Sequence, residues 1–146
     1  PYIPVVQTLF DYSKNQFKEL KTYFFHNTIY STLWEDPARY KKPQRIEEFV
    51  RLDSQTRFIM VGDASMAPYE LMASDGSIHI EERSGKPSLE CLNFLADTFP
   101  HSVWLNPVPA AMWNYTHSIN TIRGIFPMFE LTLDGLEEAV AYLMAK

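Results

Sequence analysis

The stretch Arg57-Phe-Ile-Met-Val-Gly-Asp-Ala-Ser-Met-Ala-Pro-Tyr-Glu-Leu71 contains a short apolar run that ends abruptly at Gly62-Asp63. The run from Phe58 to Val61 has the length and composition of a buried strand. A carboxylate directly after such a strand has two interpretations. Asp63 either caps the next helix, whose N-terminal dipole favours negative charge, or it binds a cation or a substrate. The local pattern leaves both interpretations open.

Length and composition indicate one ordinary globular domain over residues 1–146. Of these residues 46% are hydrophobic and 21% are charged. The formal net charge of -5 makes nucleic acid an unlikely partner, and no apolar run approaches the roughly 20 residues that span a bilayer. No signal-peptide pattern opens the chain. Cys91 is the only cysteine, so an internal disulfide is impossible, and a reducing, cytoplasmic setting fits.

Strand patterns and helix patterns alternate along the chain. The predicted strands are 22–25, 28–33, 58–61, 102–105 and 128–131, and the predicted helices are 4–21, 43–52, 87–99, 118–125 and a last one from Asp134. Asp134 is the predicted N-cap of that last helix, because Glu137 follows at capping-box spacing. The alternation predicts an α/β fold with a parallel sheet covered by helices on both faces.

Polar residues follow three of the predicted strands, at the point where each strand ends. They are His26 and Asn27, then Asp63 and Ser65, and then Asn106. Because ligands of open α/β sheets bind beyond the carboxyl ends of the strands, we expect all of them at one edge, with Asp63 next to Asn106 and His26.

The chemistry of these residues supports more than one interpretation. Asp63 supplies a hard oxygen ligand suited to Mg²⁺ or Mn²⁺, and Ser65 adds a hydroxyl two residues on. His26 can act as a ligand or a base, although a histidine at a strand end is more often a structural hydrogen-bonding group. Cys91 and Trp104 are interpreted as packing residues. No His or Cys pair has the spacing of a zinc site.

Four runs in this order carry a resemblance to a known family. They are Phe24-Phe-His-Asn27, Val61-Gly-Asp-Ala-Ser-Met-Ala-Pro-Tyr-Glu70, Trp104-Leu-Asn-Pro107 and Leu131-Thr-Leu-Asp-Gly-Leu136. Together they resemble bacterial von Willebrand factor type A (VWA) domain proteins of the CoxE-like group. The resemblance implies a Rossmann-like, mostly parallel sheet. It also implies a non-enzymatic protein-binding role beside a MoxR-type AAA+ ATPase and a client protein, in protein remodelling or metal-cofactor maturation.

The family also implies a metal-ion-dependent adhesion site, or MIDAS, at the carboxyl edge of the sheet. Asp63 matches its last ligand and Ser65 matches weakly, whereas His26, Asn27 and Asn106 are expected to contact a partner. The first strand and its metal loop are absent from a sequence that opens with Pro1, so we expect a fold incomplete at the N-terminus and a truncated or processed chain. Mg²⁺ is then expected in the full-length protein, with no strong binding by this chain.

The absent strand would be central in the family topology, which leaves inner sheet edges open. Such edges pair readily with another chain, so self-association is expected.

The alternative function is a Mg²⁺-dependent phosphatase of the haloacid dehalogenase type, in which an Asp after a Gly at a strand end holds the metal. That family needs a second Asp, where Ala67 stands, and an Asp-x-Asp motif, which the sequence lacks. A third interpretation is an interaction domain without any metal.

Overall fold

Short apolar segments and amphipathic segments of this chain form strands and helices in alternation. The computed structural model describes residues 11, 32–33, 44–46, 48, 56–65 and 88–145. The strands are β1 (Thr32–Leu33), β2 (Gln44–Arg45), β3 (Phe58–Val61), β4 (Ser102–Asn106) and β5 (Met128–Glu130). The helices are α1 (Ser88–Thr98), a 3₁₀ helix (Ala110–Tyr115), α2 (His117–Arg123) and α3 (Leu133–Met144).

A parallel sheet with the order β3-β4-β5 forms the centre of the described structure. The register pairs Val61 with Leu105 and Asn106 with Glu130, so the carboxyl ends of all three strands lie at one edge. All five residues of β4 are buried, as expected for the middle strand of a sheet that is covered on both faces. The α/β character and the parallel sheet predicted from the sequence are confirmed.

Successive residues of the sheet contribute to two separate cores, because side chains along a strand alternate between its faces. Met60 and Trp104 belong to one core with residues of α1 and α2, and Phe58 stacks on Phe99 there at a ring-centroid distance of 4.9 Å. The other core joins residues of β4 to α3 through Val103, Leu105, Leu136, Ala139 and Leu143. Helices therefore cover both faces of the sheet.

Helix α1 follows its predicted pattern. Leu92, Leu95 and Phe99 are fully buried, and Cys91 is buried among them, as its interpretation as a packing residue required. Helix α2 lies close to its predicted bounds and ends before Gly124.

Helix α3 begins earlier than predicted, which corrects its cap. The N-cap is Thr132, whose hydroxyl accepts a hydrogen bond from the Gly135 N–H, and Asp134 lies inside the first turn. The helical spacing of Leu136, Leu143 and Met144 predicts that all three face inward; the first two are buried, but Met144 is 62% exposed, which corrects that prediction. Gly135 lies against the end of β5, where a Cβ would overlap the Glu130 carbonyl oxygen and lie 2.8 Å from its carbon. The close approach of α3 to β5 therefore depends on glycine.

The pair β1 and β2 is antiparallel, with Thr32 opposite Arg45 and Leu33 opposite Gln44. The helix predicted over 43–52 is therefore wrong at its start, because pairing with another strand overrode local helix propensity. Ile46, which the helix predicted over 43–52 would place inward, is nevertheless buried. Apart from the helical Asp11, the predictions for 4–21 and 22–25 lie outside the described residues.

Within the described part of the chain, no helix has the length and apolarity to cross a membrane.

Candidate functional site at the carboxyl edge of the sheet

The loop of residues 62–65 leaves the sheet directly after β3. Ala64 has a φ of 56°, in the left-handed region that residues other than glycine rarely adopt. The same residue is 1% exposed, whereas Asp63 is half-buried and Ser65 is exposed. The chain therefore turns sharply at Ala64 and holds this methyl group in the core. The polar residues on either side of it keep some contact with solvent.

Three consecutive carbonyl groups of this loop each accept a hydrogen bond from a different side chain. Trp104 Nε1 donates to the Gly62 oxygen at 2.8 Å, and Asn106 Nδ2 donates to the Asp63 oxygen at 2.9 Å. Ser118 Oγ donates to the Ala64 oxygen at 2.6 Å. A loop that leaves a sheet loses its ladder partners, and these donors replace them. Side chains from β4 and α2 thereby fix the loop backbone.

Both the nitrogen and the oxygen of the Asn106 side-chain amide make hydrogen bonds, and the side chain is buried. Its Oδ1 accepts from the Val108 N–H at 2.8 Å, while its Nδ2 also approaches Met128 Sδ at 3.5 Å. The side chain is 0% exposed. Asn106 lies next to Asp63 at the carboxyl edge, as predicted, but through the Asp63 backbone. Its predicted contact with a partner remains a prediction, and burial limits it to an indirect one through the loop.

The Asp63 carboxylate makes a local contact of its own. Oδ1 accepts a hydrogen bond from the Ser65 N–H at 3.0 Å, which is the pattern of an Asx turn. This contact caps the turn inside the loop, while the predicted capping of a following helix concerns residues after 65, which lie outside the described part of the chain. The contact within the turn engages one carboxylate oxygen, and the second oxygen has no hydrogen bond among the described residues. The side chain can therefore stabilise its loop and contact a ligand at the same time.

The described residues do not by themselves fit the Mg²⁺ ion that the family resemblance implies. Mg²⁺ requires an octahedral set of oxygen ligands. The described loop offers the Asp63 carboxylate and the Ser65 hydroxyl, while the Asn106 amide oxygen is turned toward Val108. Among the described residues no three His, Cys, Asp or Glu side chains group around a possible metal position. His26 and Asn27 lie outside the described part of the chain.

Sequence reasoning missed the roles of Ser118 and Trp104. Trp104 is buried as predicted, but it also donates to the loop through its indole nitrogen. Ser118 shares the buried face of α2 with Ile119 and Ile122. A hydroxyl on that face needs a hydrogen-bond partner, since buried polar groups are almost always paired. That periodicity is the signal that could have identified Ser118.

Comparisons with known proteins give no match: no family model, no curated protein and no solved structure matches this chain.

Proposed function

We propose that this chain is a non-enzymatic protein-interaction module, a VWA-like domain of the CoxE-like group. Its proposed partners are a MoxR-type AAA+ ATPase and a client protein, in protein remodelling or metal-cofactor maturation. The order of the four sequence runs supports this assignment. A parallel sheet with helices on both faces, and with polar loops at its carboxyl edge, is compatible with it.

The observation that carries the proposal is the fixed loop of residues 62–65. Three side-chain donors hold its backbone, so Asp63 is presented on a surface that is formed before any partner arrives. Preorganisation reduces the entropy that binding must overcome. A half-buried carboxylate that uses only one oxygen for hydrogen bonds within the described residues suits a basic partner group, and the exposed Ser65 hydroxyl adds a donor beside it.

The described loop supplies too few oxygen ligands for Mg²⁺ by itself, so the metal that the resemblance implies is no part of this proposal. Within this chain we propose that Asp63 acts as a carboxylate toward the partner, without a resident metal.

The test is a binding titration between the full 146-residue chain and a purified MoxR-type ATPase from the same organism. Asp63→Asn keeps the side-chain shape and removes the charge, so we expect affinity to fall roughly 10-fold, the effect of about 1.4 kcal/mol. Asp97→Asn is the matched control, because Asp97 is an exposed carboxylate on α1, away from the carboxyl edge.

Three results would contradict the proposal. The first is binding that Asp63→Asn and Asp97→Asn weaken equally, and the second is no binding at all. The third is Mg²⁺-dependent hydrolysis of an aryl phosphate that Asp63→Asn abolishes, which would support the phosphatase alternative. Sedimentation at several concentrations in parallel measures the proposed self-association of the chain.

A further inference from the structure

The 3₁₀ helix Ala110–Tyr115 exposes two large side chains in one column. Met112 is 51% exposed and Tyr115 is 82% exposed. Because a 3₁₀ helix has three residues per turn, residues three apart are eclipsed, so Met112 and Tyr115 lie in line with the N-cap Pro109. Trp113 belongs to a different column and is buried. Met112 and Tyr115 therefore form a small exposed apolar surface that has Pro109 at its N-terminal end.

A carboxylate lies at this end of the column. The peptide group between Pro109 and Ala110 makes two hydrogen bonds: its carbonyl accepts from the Met112 N–H at 2.9 Å, and its N–H donates to Glu130 Oε2 at 3.2 Å. Two bonds that share one peptide group place Glu130 Oε2 within about 9 Å of the Met112 nitrogen. Helical side chains lean toward the N-terminus, so the Met112 side chain extends toward the end where Glu130 lies.

The charge that these contacts bring to the column is negative. Glu130 is exposed, and within the described residues its carboxylate pairs with no basic side chain and uses Oε2 alone. Arg123 contacts the same helix, but through the Trp113 ring at 5.1 Å and Asn114 Oδ1 at 3.1 Å. Trp113 and Asn114 belong to the other two columns. The guanidinium therefore lies away from the column that ends at Glu130.

This surface continues the carboxyl edge of the sheet and is formed before any partner arrives. Trp113 Nε1 donates to the Val108 carbonyl at 2.7 Å and fixes the short helix from its buried side. Glu130 is the register partner of Asn106, whose Nδ2 donates to the Asp63 oxygen. A ligand would therefore need to order few groups on binding, and it would meet carboxylates on both sides of β4.

We infer that Met112, Tyr115 and Glu130 form a docking surface for a segment of a partner protein in which Lys or Arg stands beside an apolar side chain. The apolar side chain packs on Met112 and Tyr115, and the basic group pairs with Glu130 Oε1. Charge complementarity selects the basic occupant. This inference rests on the proposed function, since it names the partner chemistry of a binding module, and it extends the charge preference of Asp63 to a second surface.

The probes are three fluorescently labelled synthetic peptides, and the measurement is an anisotropy titration with the full chain. The first peptide repeats Lys-Leu-Phe-Lys, the second carries Glu in place of Lys, and the third carries Ser in place of Leu and Phe. The first should bind at least about 10-fold more tightly than either of the others, because it alone supplies both the apolar side chain and the positive charge.

Each variant of the surface has a matched control. Glu130→Gln keeps an oxygen acceptor for the helix N–H and removes the charge, so it should weaken binding of the first peptide roughly 3-fold, as expected for an exposed ion pair. Glu138→Gln removes an exposed charge from α3 and should leave binding unchanged. Met112→Ser and Tyr115→Ser should each weaken binding roughly 10-fold, whereas Met144→Ser on α3 should not.

Equal binding of the three peptides, or equal effects of a variant and its control, would overturn the inference, because a net charge of -5 alone attracts basic peptides. Sedimentation that shows self-association abolished by Met112→Ser but not by Met144→Ser would also overturn it and assign the surface to a second copy. Asp63→Asn should leave peptide binding unchanged. ATPase binding that depends on Asp63, without peptide binding, would contradict this inference alone, and peptide binding without ATPase binding would contradict the proposed function alone.

Discussion

Asn106 and Asp63 stand 43 residues apart in the chain, yet Asn106 Nδ2 donates a 2.9 Å hydrogen bond to the Asp63 backbone oxygen. The same amide accepts from the Val108 N–H, so one buried side chain connects the loops that follow β3 and β4. The geometry of the carboxyl edge therefore depends on a residue that solvent does not reach.

Asn106→Ala should destabilise the protein by about 2–4 kcal/mol, because it leaves the Asp63 carbonyl and the Val108 N–H without their partner. Urea unfolding measures the change in the free energy of unfolding. Asn93→Ala is the control, since Asn93 makes an exposed hydrogen bond to the Leu89 carbonyl within α1. We expect the control to change stability by less than about 0.5 kcal/mol. Similar losses in both variants would show that Asn106 does not link the loops.

The cap of α3 gives a second prediction. Thr132→Ala should cost about 1 kcal/mol of stability, because the Gly135 N–H loses its side-chain acceptor, and Thr132→Ser should restore most of it. Asp134→Asn should have a smaller effect, since an exposed charge in the first turn acts through the helix dipole. Thermal unfolding at low and high salt separates the two. The Thr132 effect should persist in high salt, and the Asp134 effect should shrink. A larger loss of stability in Asp134→Asn than in Thr132→Ala would show that Asp134 is the N-cap.

The sequence predicted where the carboxyl edge lies, because parallel strands end at the same side of a sheet. By that rule Asp63 is expected beside Asn106, and the two residues are in contact in the structure. It did not predict the atoms in contact. The loop turns at Ala64 in a left-handed conformation, which an alanine in the sequence does not predict. This turn directs the Asp63 carbonyl to Asn106.

The cap of α3 was mistaken for a related reason. Thr132 and Asp134 are both good N-cap residues, so local preference could not choose between them. Packing against the end of β5 selects Thr132 as the N-cap. Gly135 must lie against the Glu130 backbone, and the helix must start early enough to place it there. Local patterns predict which elements exist, while contacts between distant elements decide where they begin.

Gly135 yields a third prediction. Gly135→Ala should destabilise the protein by about 3 kcal/mol or more, or displace α3, because the new Cβ would overlap the Glu130 carbonyl. Urea unfolding tests this result. Gly124→Ala is the control, since Gly124 has an ordinary helical φ of -72° and its Cβ would lie 3.3 Å from the Thr121 oxygen. Its effect should stay within about 1 kcal/mol. Equal effects at the two glycines would contradict the close packing of α3 on β5.

Ala64 allows a test of whether the loop is held by its carbonyl contacts or by its side chain. Ala64→Gly relieves a left-handed alanine worth roughly 1–2 kcal/mol, but it loses a buried methyl worth about 0.8 kcal/mol and adds backbone entropy worth about 0.5–1 kcal/mol. These effects oppose each other, so stability should change by less than about 1 kcal/mol. Ala64→Val places a branched side chain at positive φ in a packed core and should cost more than about 2 kcal/mol. Urea unfolding of both variants decides the question. A large loss in Ala64→Gly would mean that the methyl group, and not the donors from Trp104, Asn106 and Ser118, holds the loop in place.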